Sequence, residues 1–326
     1  MIIAVADPSQ VAVARRAATD IATERGFDKD QVGRVALVAT EIATNLLKHA
    51  THGELVIERY DDASGTGIEL LGLDKGDGIA DLARAMRDGF STTGTSGNGL
   101  GVMKRQTDQF EVFSRAGAGT AVLARIAESE IKAEGTALIG AVVAPYPGET
   151  ACGDAWAYGL PGGKPTLLLA DGSGHGVLAQ AAATVAVETF RARLRENLTV
   201  LVEDIHRALA PTRGAAVAVV QFDRAQSLVR FVGVGNISAA IVIGSETRRM
   251  VSHNGTAGHI APRIREFTYP FAGEGMILLH SDGLSNRWDL AQYPGLSMSH
   301  PSLLAGILYR DHRRGRDDAS VVAMRG

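Results

Sequence analysis

Thr166-Leu167-Leu168-Leu169-Ala170-Asp171-Gly172-Ser173-Gly174-His175-Gly176 passes directly from an unbroken apolar run into an acid and three alternating glycines. The run reads as a buried strand, and its polar tail as the place where the strand stops and the backbone can come close to an ion. Three further aspartates stand in comparable short settings: Asp154 in Gly153-Asp154-Ala155-Trp156, Asp282 in Ser281-Asp282-Gly283, and Asp317 in Arg316-Asp317-Asp318. Taken singly, each is a turn-capping carboxylate. Taken as an ordered set they read as a two-metal site, and hard carboxylate oxygens suit magnesium or manganese rather than zinc.

The rest of the composition bounds what such a site can belong to. A chain of 326 residues with 45% hydrophobic content can bury two ordinary cores, so two domains are expected. A net charge of -3 and an aromatic content of 5% argue against nucleic acid as a partner. Cys152 is the only cysteine and has no internal disulfide partner, which is compatible with a reducing compartment. The segment Met1-Ile2-Ile3-Ala4-Val5-Ala6-Asp7 lacks a basic lead, and no apolar run approaches the ~18 residues that span a bilayer. A soluble, cytoplasmic protein with no membrane partner is the expectation.

Texture divides the chain. Helical periodicity covers 11–26 and 28–50, and strand-like runs cover 54–60, 68–73, 110–114 and 120–126. A polar stretch at 128–135 reads as a linker, which leaves domains at 1–127 and 136–326. In the second domain, strands are expected at 138–143, 166–170, 215–222, 228–232, 239–243 and 276–280, with helices near 177–196 and 200–209. Strands bracketing helices suggest a layered sandwich.

A second candidate site begins on the helix at 28–50. Glu41, Asn45 and His49 recur every four residues, each only ~40° further round the helix, so all three line one side. Val35, Val38, Ile42 and Leu46 form the neighbouring apolar stripe, and an amide as close to it as Asn45 needs a partner, either nearby backbone or a ligand. Downstream, a strand ends in Asp74-Lys75-Gly76-Asp77-Gly78-Ile79, and Ser96-Gly97-Asn98-Gly99-Leu100-Gly101-Val102 leads into a further helix. An acid at a strand end can accept an amino group of a base, and a helix opening after glycines presents amide dipoles to phosphate.

In this order, the three elements resemble the GHKL ATP-binding fold of histidine kinases, gyrase-type ATPases and bacterial anti-sigma serine kinases, and in detail the stressosome switch-kinase branch (RsbT). The resemblance covers about the first 126 residues. It implies a Bergerat-type α/β sandwich, a mixed sheet with helices on one face, that takes ATP with magnesium. Asn45 would hold the metal, Asp74 would read adenine, Gly76, Gly78, Gly97, Gly99 and Gly101 would shape the pocket, and Glu41 would be the general base of a serine kinase. His49 is read as a helix-end imidazole, not a phosphoacceptor.

The four aspartate motifs, in their order, resemble the SpoIIE-type metal-dependent (PPM) serine/threonine phosphatases from about Thr136 to Arg325. Length and the turn Gly233-Val234-Gly235-Asn236 look most like the RsbX branch. This implies a PPM-type αββα sandwich, and hence a two-domain α/β chain, with two manganese or magnesium ions that activate water for attack on phosphorus. Asp154, Asp171, Asp282 and Asp317 would be metal ligands with a catalytic role, Gly172 would lend its carbonyl oxygen, and Asp318 would be structural, with the choice between the adjacent Asp317 and Asp318 open by one residue. Cys152 reads as a packing thiol, His175 as a support for its loop, His280 as a residue behind the ligands, and Arg310, His312, Arg313, Arg314 and Arg316 as a solvated loop or, alternatively, a docking surface for a phosphoprotein. Joined, the two resemblances imply a bifunctional kinase and phosphatase of a partner-switching pathway acting on a STAS-domain phosphoprotein. A sigma-factor regulator or downstream phosphatase is a further partner open to it, as is a homo-oligomer. The alternative expectation is a phosphatase regulated by a non-catalytic ATP-binding or docking domain.

Overall fold

The structure is a computed structural model, and it describes residues 1–86, 99–129, 137–261 and 263–326. The chain divides into two compact units, Met1–Lys132 and Ala133–Gly326.

In the first unit, β1 (Ile2–Ala4), α1 (Pro8–Glu24), α2 (Lys29–His49), β2 (Glu54–Asp62), β3 (Gly65–Asp74), α3 (Leu82–Ala85), α4 (Gly99–Gln106), β4 (Gln109–Ser114) and β5 (Thr120–Ser129) follow one another. Asp7 and Asp28 start the two long helices, each accepting from backbone while a glutamine three residues on reaches back to the cap. The sheet order is β1-β2-β3-β5-β4. Among the described residues every pairing is antiparallel and the expected mixed sheet is not seen; β2–β3 and β4–β5 are direct hairpins, a connection that dictates antiparallel neighbours. Alternation assigns the faces: Leu55, Ile57, Ile68, Leu70, Ala124 and Ile126 pack with Ala14, Ala18, Val35, Val38 and Ile42 of the helices. The other face carries buried Arg125, which donates from Nε to Glu69 at 2.7 Å and from Nη1 to Asp62 at 2.8 Å. β5 reaches Ser129, so the first residues of the expected linker are strand; residues 130–135 of it lie outside the described residues.

The second unit continues with β6 (Leu138–Ala144), β7 (Asp154–Gly159), β8 (Thr166–Gly172), α5 (Val177–Arg193), α6 (Leu198–Leu209), β9 (Ala215–Asp223), β10 (Leu228–Val234), β11 (Ser238–Ile243), β12 (Glu246–Met250), β13 (Phe267–Pro270), β14 (Met276–His280), α7 (Pro301–His312) and β15 (Ala319–Arg325). Two five-stranded antiparallel sheets form, ordered β13-β10-β9-β8-β7 and β12-β11-β14-β15-β6. Their inner faces meet through Leu167, Leu169, Val220 and Phe231 on one side and Ile241, Ile277, Leu279 and Val322 on the other. The alternate residues Leu168, Ala170, Val217 and Val219 turn outward onto Ala182, Ala186, Phe190, Leu201 and Ile205 of α5 and α6. A strand covered on both faces needs no polar alternation, which is why 166–170 reads as a continuous apolar run. α7 packs against β6 and β15 and completes the αββα layering.

Candidate active site

Antiparallel pairing delivers four acidic motifs to one end of the sandwich. β7 begins at Asp154 and β8 ends at Gly172, and Asp154 stands directly opposite Asp171. In the other sheet, His280 at the end of β14 faces Val321 near the start of β15. Just past that pair, the Ser281 amide donates to the Ser320 carbonyl and the Ser320 amide to Ser281 Oγ, both at 3.0 Å. The chain on either side of this clasp carries Asp282 and Asp317. Asp171, Asp282 and Asp317 line a cleft of about 420 Å³, with Ser173, Asn236, Asn254 and Thr256 among its other walls.

Asp154 lies beneath these acids, 4% exposed, and neither of its carboxylate oxygens has a hydrogen-bond partner among the described residues. Burial pushes its carboxyl up to about 7; the nearby hydroxyls of Ser281 and Ser320 temper the rise without reaching bonding geometry, and Asp318 and Asp317 add to it. Burial also drives Asp171 up, to about 9, reinforced by the charges of Asp154, Asp282, Asp317 and Asp318. Asp317 is raised by burial as well, against a lowering hydrogen bond from the Asp318 amide. A buried carboxylate with orphan oxygens among mutually repelling acids is a donor set that fits divalent cations. Among the described residues no three histidine, cysteine or acidic side chains close on one point. Each ion would therefore take one or two carboxylates and complete its sphere with water and backbone oxygen.

The neighbouring acid is turned elsewhere. Asp318 is buried and accepts from the amides of Tyr146 at 2.7 Å and Gly153 at 2.8 Å, which ties the Asp154 segment to the Asp317 segment. Gly172 sits so close to α5 that a Cβ there would stand 2.2 Å from the Ala179 carbonyl oxygen, so only glycine lets the helix pack over the strand end.

Several residues of the site escape a reading of the sequence alone. Asn236 Nδ2 donates to Asp282 Oδ2 at 2.7 Å across 46 residues of chain. Asn254 and Thr256 come from an irregular segment with no motif. For Asn236 the turn Gly235-Asn236 was a visible signal, since it follows an apolar run as the acids do. Behind the cleft, Trp288 Nε1 donates to His280 Nε2 at 3.1 Å, which leaves His280 Nδ1 as the donor to the Ser281 carbonyl at 2.8 Å. Burial lowers His280 to about 4, so it is neutral and holds the backbone next to Asp282. His175 stacks on Tyr146 with ring centroids 4.5 Å apart and pairs with Glu149 at 2.6 Å. The Cys152 thiol is half-buried and raised, chiefly by burial. The basic cluster is not one solvated loop: Arg310 and His312 belong to α7, where Arg310 is buried and pairs with Asp311, and only Arg313, Arg314 and Arg316 lie exposed beyond the helix.

In the first unit, Glu41 and Asn45 lie half-buried on one side of α2, and His49 is exposed at its end. The start of α4 lies over them: a Cβ at Gly99 would stand 3.4 Å from both Glu41 Oε2 and Asn45 Nδ2. Asp74 closes β3 and accepts from the Gly76 amide at 2.6 Å. Gly78 takes a positive φ of +68° against the Arg115 carbonyl, a place no side chain can enter. Gly101 is buried in α4, and Gly97 lies outside the described residues.

Comparison with known proteins agrees with this arrangement. The histidine kinase-like ATPase domain family matches residues 4–126, and the Stage II sporulation protein E (SpoIIE) family matches residues 161–325. Over 114 residues the chain is 36% identical to the serine/threonine-protein kinase RsbT of Bacillus subtilis, covering 35% of this chain and 86% of the relative. A solved chain from the bacterial stressosome, described as a modular system adapted to control secondary messenger signalling, superposes with a TM-score of 0.54 and 27% identity over 58% of this chain and 99% of that one. RsbX in complex with magnesium shares the fold at a TM-score of 0.50 and 18% identity, covering 58% and 94% of the two chains. No helix among the described residues is long and apolar enough to cross a membrane. The chain belongs to the SpoIIE family of serine/threonine phosphatases, its phosphatase domain carried behind a histidine kinase-like ATPase domain related to a serine/threonine kinase.

Proposed function

We propose that this chain is a bifunctional regulator of a partner-switching pathway, which phosphorylates a serine or threonine of a STAS-domain protein with its first unit and removes such phosphates with its second. The observation that carries the phosphatase half is Asp154: a buried carboxylate with both oxygens unpartnered, directly opposite Asp171 at the mouth of an acid-lined cleft. Asp154, Asp171, Asp282 and Asp317 hold the divalent ions, with the Gly172 carbonyl, while Asn236 orients Asp282. When bound, a manganese or magnesium pair supplies a water acidic enough to ionise near neutral pH and offsets charge on the phosphoryl group. The chain's own contribution is to keep the carboxylates at rigid strand ends and to use no side-chain nucleophile.

In the first unit, Asn45 holds the magnesium of ATP, Asp74 takes the adenine amino group, and Gly76, Gly78, Gly99 and Gly101 allow close backbone approach. Glu41, one helical turn before Asn45, accepts the proton of the attacked hydroxyl. Support comes from the juxtaposition of Glu41, Asn45 and the start of α4, and from the RsbT relative. Two assays test the halves separately. Release of phosphate from a pre-phosphorylated STAS-domain protein in Mn2+ should require Asp171, and transfer of label from ATP should require Glu41 while Glu41→Ala still binds a nucleotide analogue. No release by the wild type in Mn2+ would refute the phosphatase half; transfer unaffected by Glu41→Ala would refute the assigned base. No transfer by the wild type would leave the first unit as a docking or regulatory domain.

A further inference from the structure

Among the described residues, the cleft that is to receive a phosphate dianion is lined by three aspartates and by no lysine or arginine. The strongest charges acting on Asp171 are all other aspartates. Two divalent ions would balance the four ligand aspartates charge for charge, which leaves no surplus positive charge in the lining for an arriving phosphate dianion, so a cation outside the metal set would help to draw it in and orient it.

We infer that Arg213 is the residue that binds the phosphoryl oxygens of the substrate at the mouth of the cleft. This rests on the phosphatase reading of that cleft. Arg213 occupies the exposed turn between α6 and β9, and its Nη1 comes within 3.5 Å of where a Cβ on Gly174, a wall of the cleft, would stand. Its guanidinium makes no hydrogen bond or ion pair with any described residue, so its fork of donors is free for a ligand.

The turn that carries it is held on both sides. Thr212 Oγ1 donates to the Leu209 carbonyl at 2.7 Å and accepts from the Gly214 amide at 3.0 Å. The Gly214 carbonyl accepts from the Ser173 amide at 3.0 Å. Gly214 itself, at a φ of +76°, lies so close to Thr256 and Ala257 that a Cβ would stand 2.7 Å from each. Arg213 is thereby presented by a rigid turn clamped between the two loops that supply Ser173, Gly174 and Thr256 to the cleft. A planar guanidinium at such a place suits bidentate pairing with a phosphoryl group, which an ammonium reproduces only as a point charge. Arg314 and Arg316 also lie exposed next to Asp317 and are the competing cations.

The test uses the full chain loaded with Mn2+. Steady-state hydrolysis of a phosphoserine peptide by Arg213→Ala should show KM raised tenfold or more with kcat within about threefold, and Arg213→Lys should recover part of the loss. Inorganic phosphate, titrated calorimetrically into the Mn2+-loaded protein, should bind at least tenfold more weakly to Arg213→Ala, while Mn2+ affinity, followed by the paramagnetic resonance of free Mn2+, should not change. Values of KM and phosphate affinity within twofold of wild type would overturn the inference, as would a loss seen only on Arg316→Ala. If the wild type hydrolyses nothing yet binds phosphate through Arg213, the phosphatase reading falls and the anion site stands.

Discussion

The two sites of this chain collect charge in opposite ways. In the second unit, buried Asp154 and half-buried Asp171 face each other across a strand pair and are raised to about 7 and about 9, so the metal-free fold already bears the electrostatic cost of the proposed site. In the first, Glu41 and Asn45 are half-buried on a helix and Asp74 sits at a strand end, with glycines rather than charges around them. The lesson is that a site for bare cations must gather repelling carboxylates on rigid strands, whereas a site for a nucleotide that brings its own charge needs room for backbone to approach. The first arrangement should respond to charge removal with a gain in metal-free stability, and the second should not.

The largest effects break each half outright. Asp171→Asn should lower phosphate release roughly a thousandfold, as expected when electrostatic stabilisation of the transferred group is lost, and leave label transfer from ATP intact; phosphate release at saturating Mn2+ checks it. Glu41→Gln should lower transfer roughly a hundredfold or more with phosphate release unchanged, as read by labelled ATP with a STAS-domain acceptor.

How far the sequence foretold these residues depends on where their constraints lie. Asp154, Asp171 and Asp282 were legible as candidates because each adjoins a glycine, the local signature of backbone closing on a site, and Asp317 because a second acid and an apolar run follow it. The choice between Asp317 and Asp318 was not, because only the fold shows Asp318 occupied by the amides of Tyr146 and Gly153. Asn254 and Thr256 come from an irregular segment that leaves no local trace. Among the elements, α7 went unseen since it is buried along nearly its whole length and shows no amphipathic stripe, although Pro301 after a capping His300 marks its start. β12 and β13 are short edge strands: β12 is largely polar and shows no alternation, and β13, at four residues, is too short for its alternation to stand out.

Intermediate effects sharpen the comparison. Asn236→Ala frees Asp282 and should weaken Mn2+ binding roughly tenfold, measured by direct titration, with nucleotide binding unaffected. The pH dependence follows from the raised carboxyls. From an ordinary 3.8, Asp154 rises to about 7 and Asp171 to about 9, so the metal-free fold holds more protons than the unfolded chain across that window and loses stability as pH rises through it. Metal-free Asp154→Asn should therefore melt roughly 3 °C or more above wild type at pH 8.5 and show less difference at pH 5; Mn2+ should stabilise the wild type more at the higher pH. A metal-free wild type that loses no more stability than Asp154→Asn between pH 5 and 8.5 would remove the electrostatic contrast between the two sites. The smallest effect is expected at Trp288→Phe, which removes one hydrogen bond to His280 and should cost about 1 kcal/mol in chemical denaturation with little change in phosphate release.

Two opposed activities on one chain should meet on one substrate. The most direct measurement incubates wild type and Asp171→Ala with labelled ATP, Mn2+ and an unmodified STAS-domain protein, and follows label on that protein over time. Label should appear with both and accumulate to a higher plateau with Asp171→Ala. Equal plateaus, or no label with either protein, would contradict it.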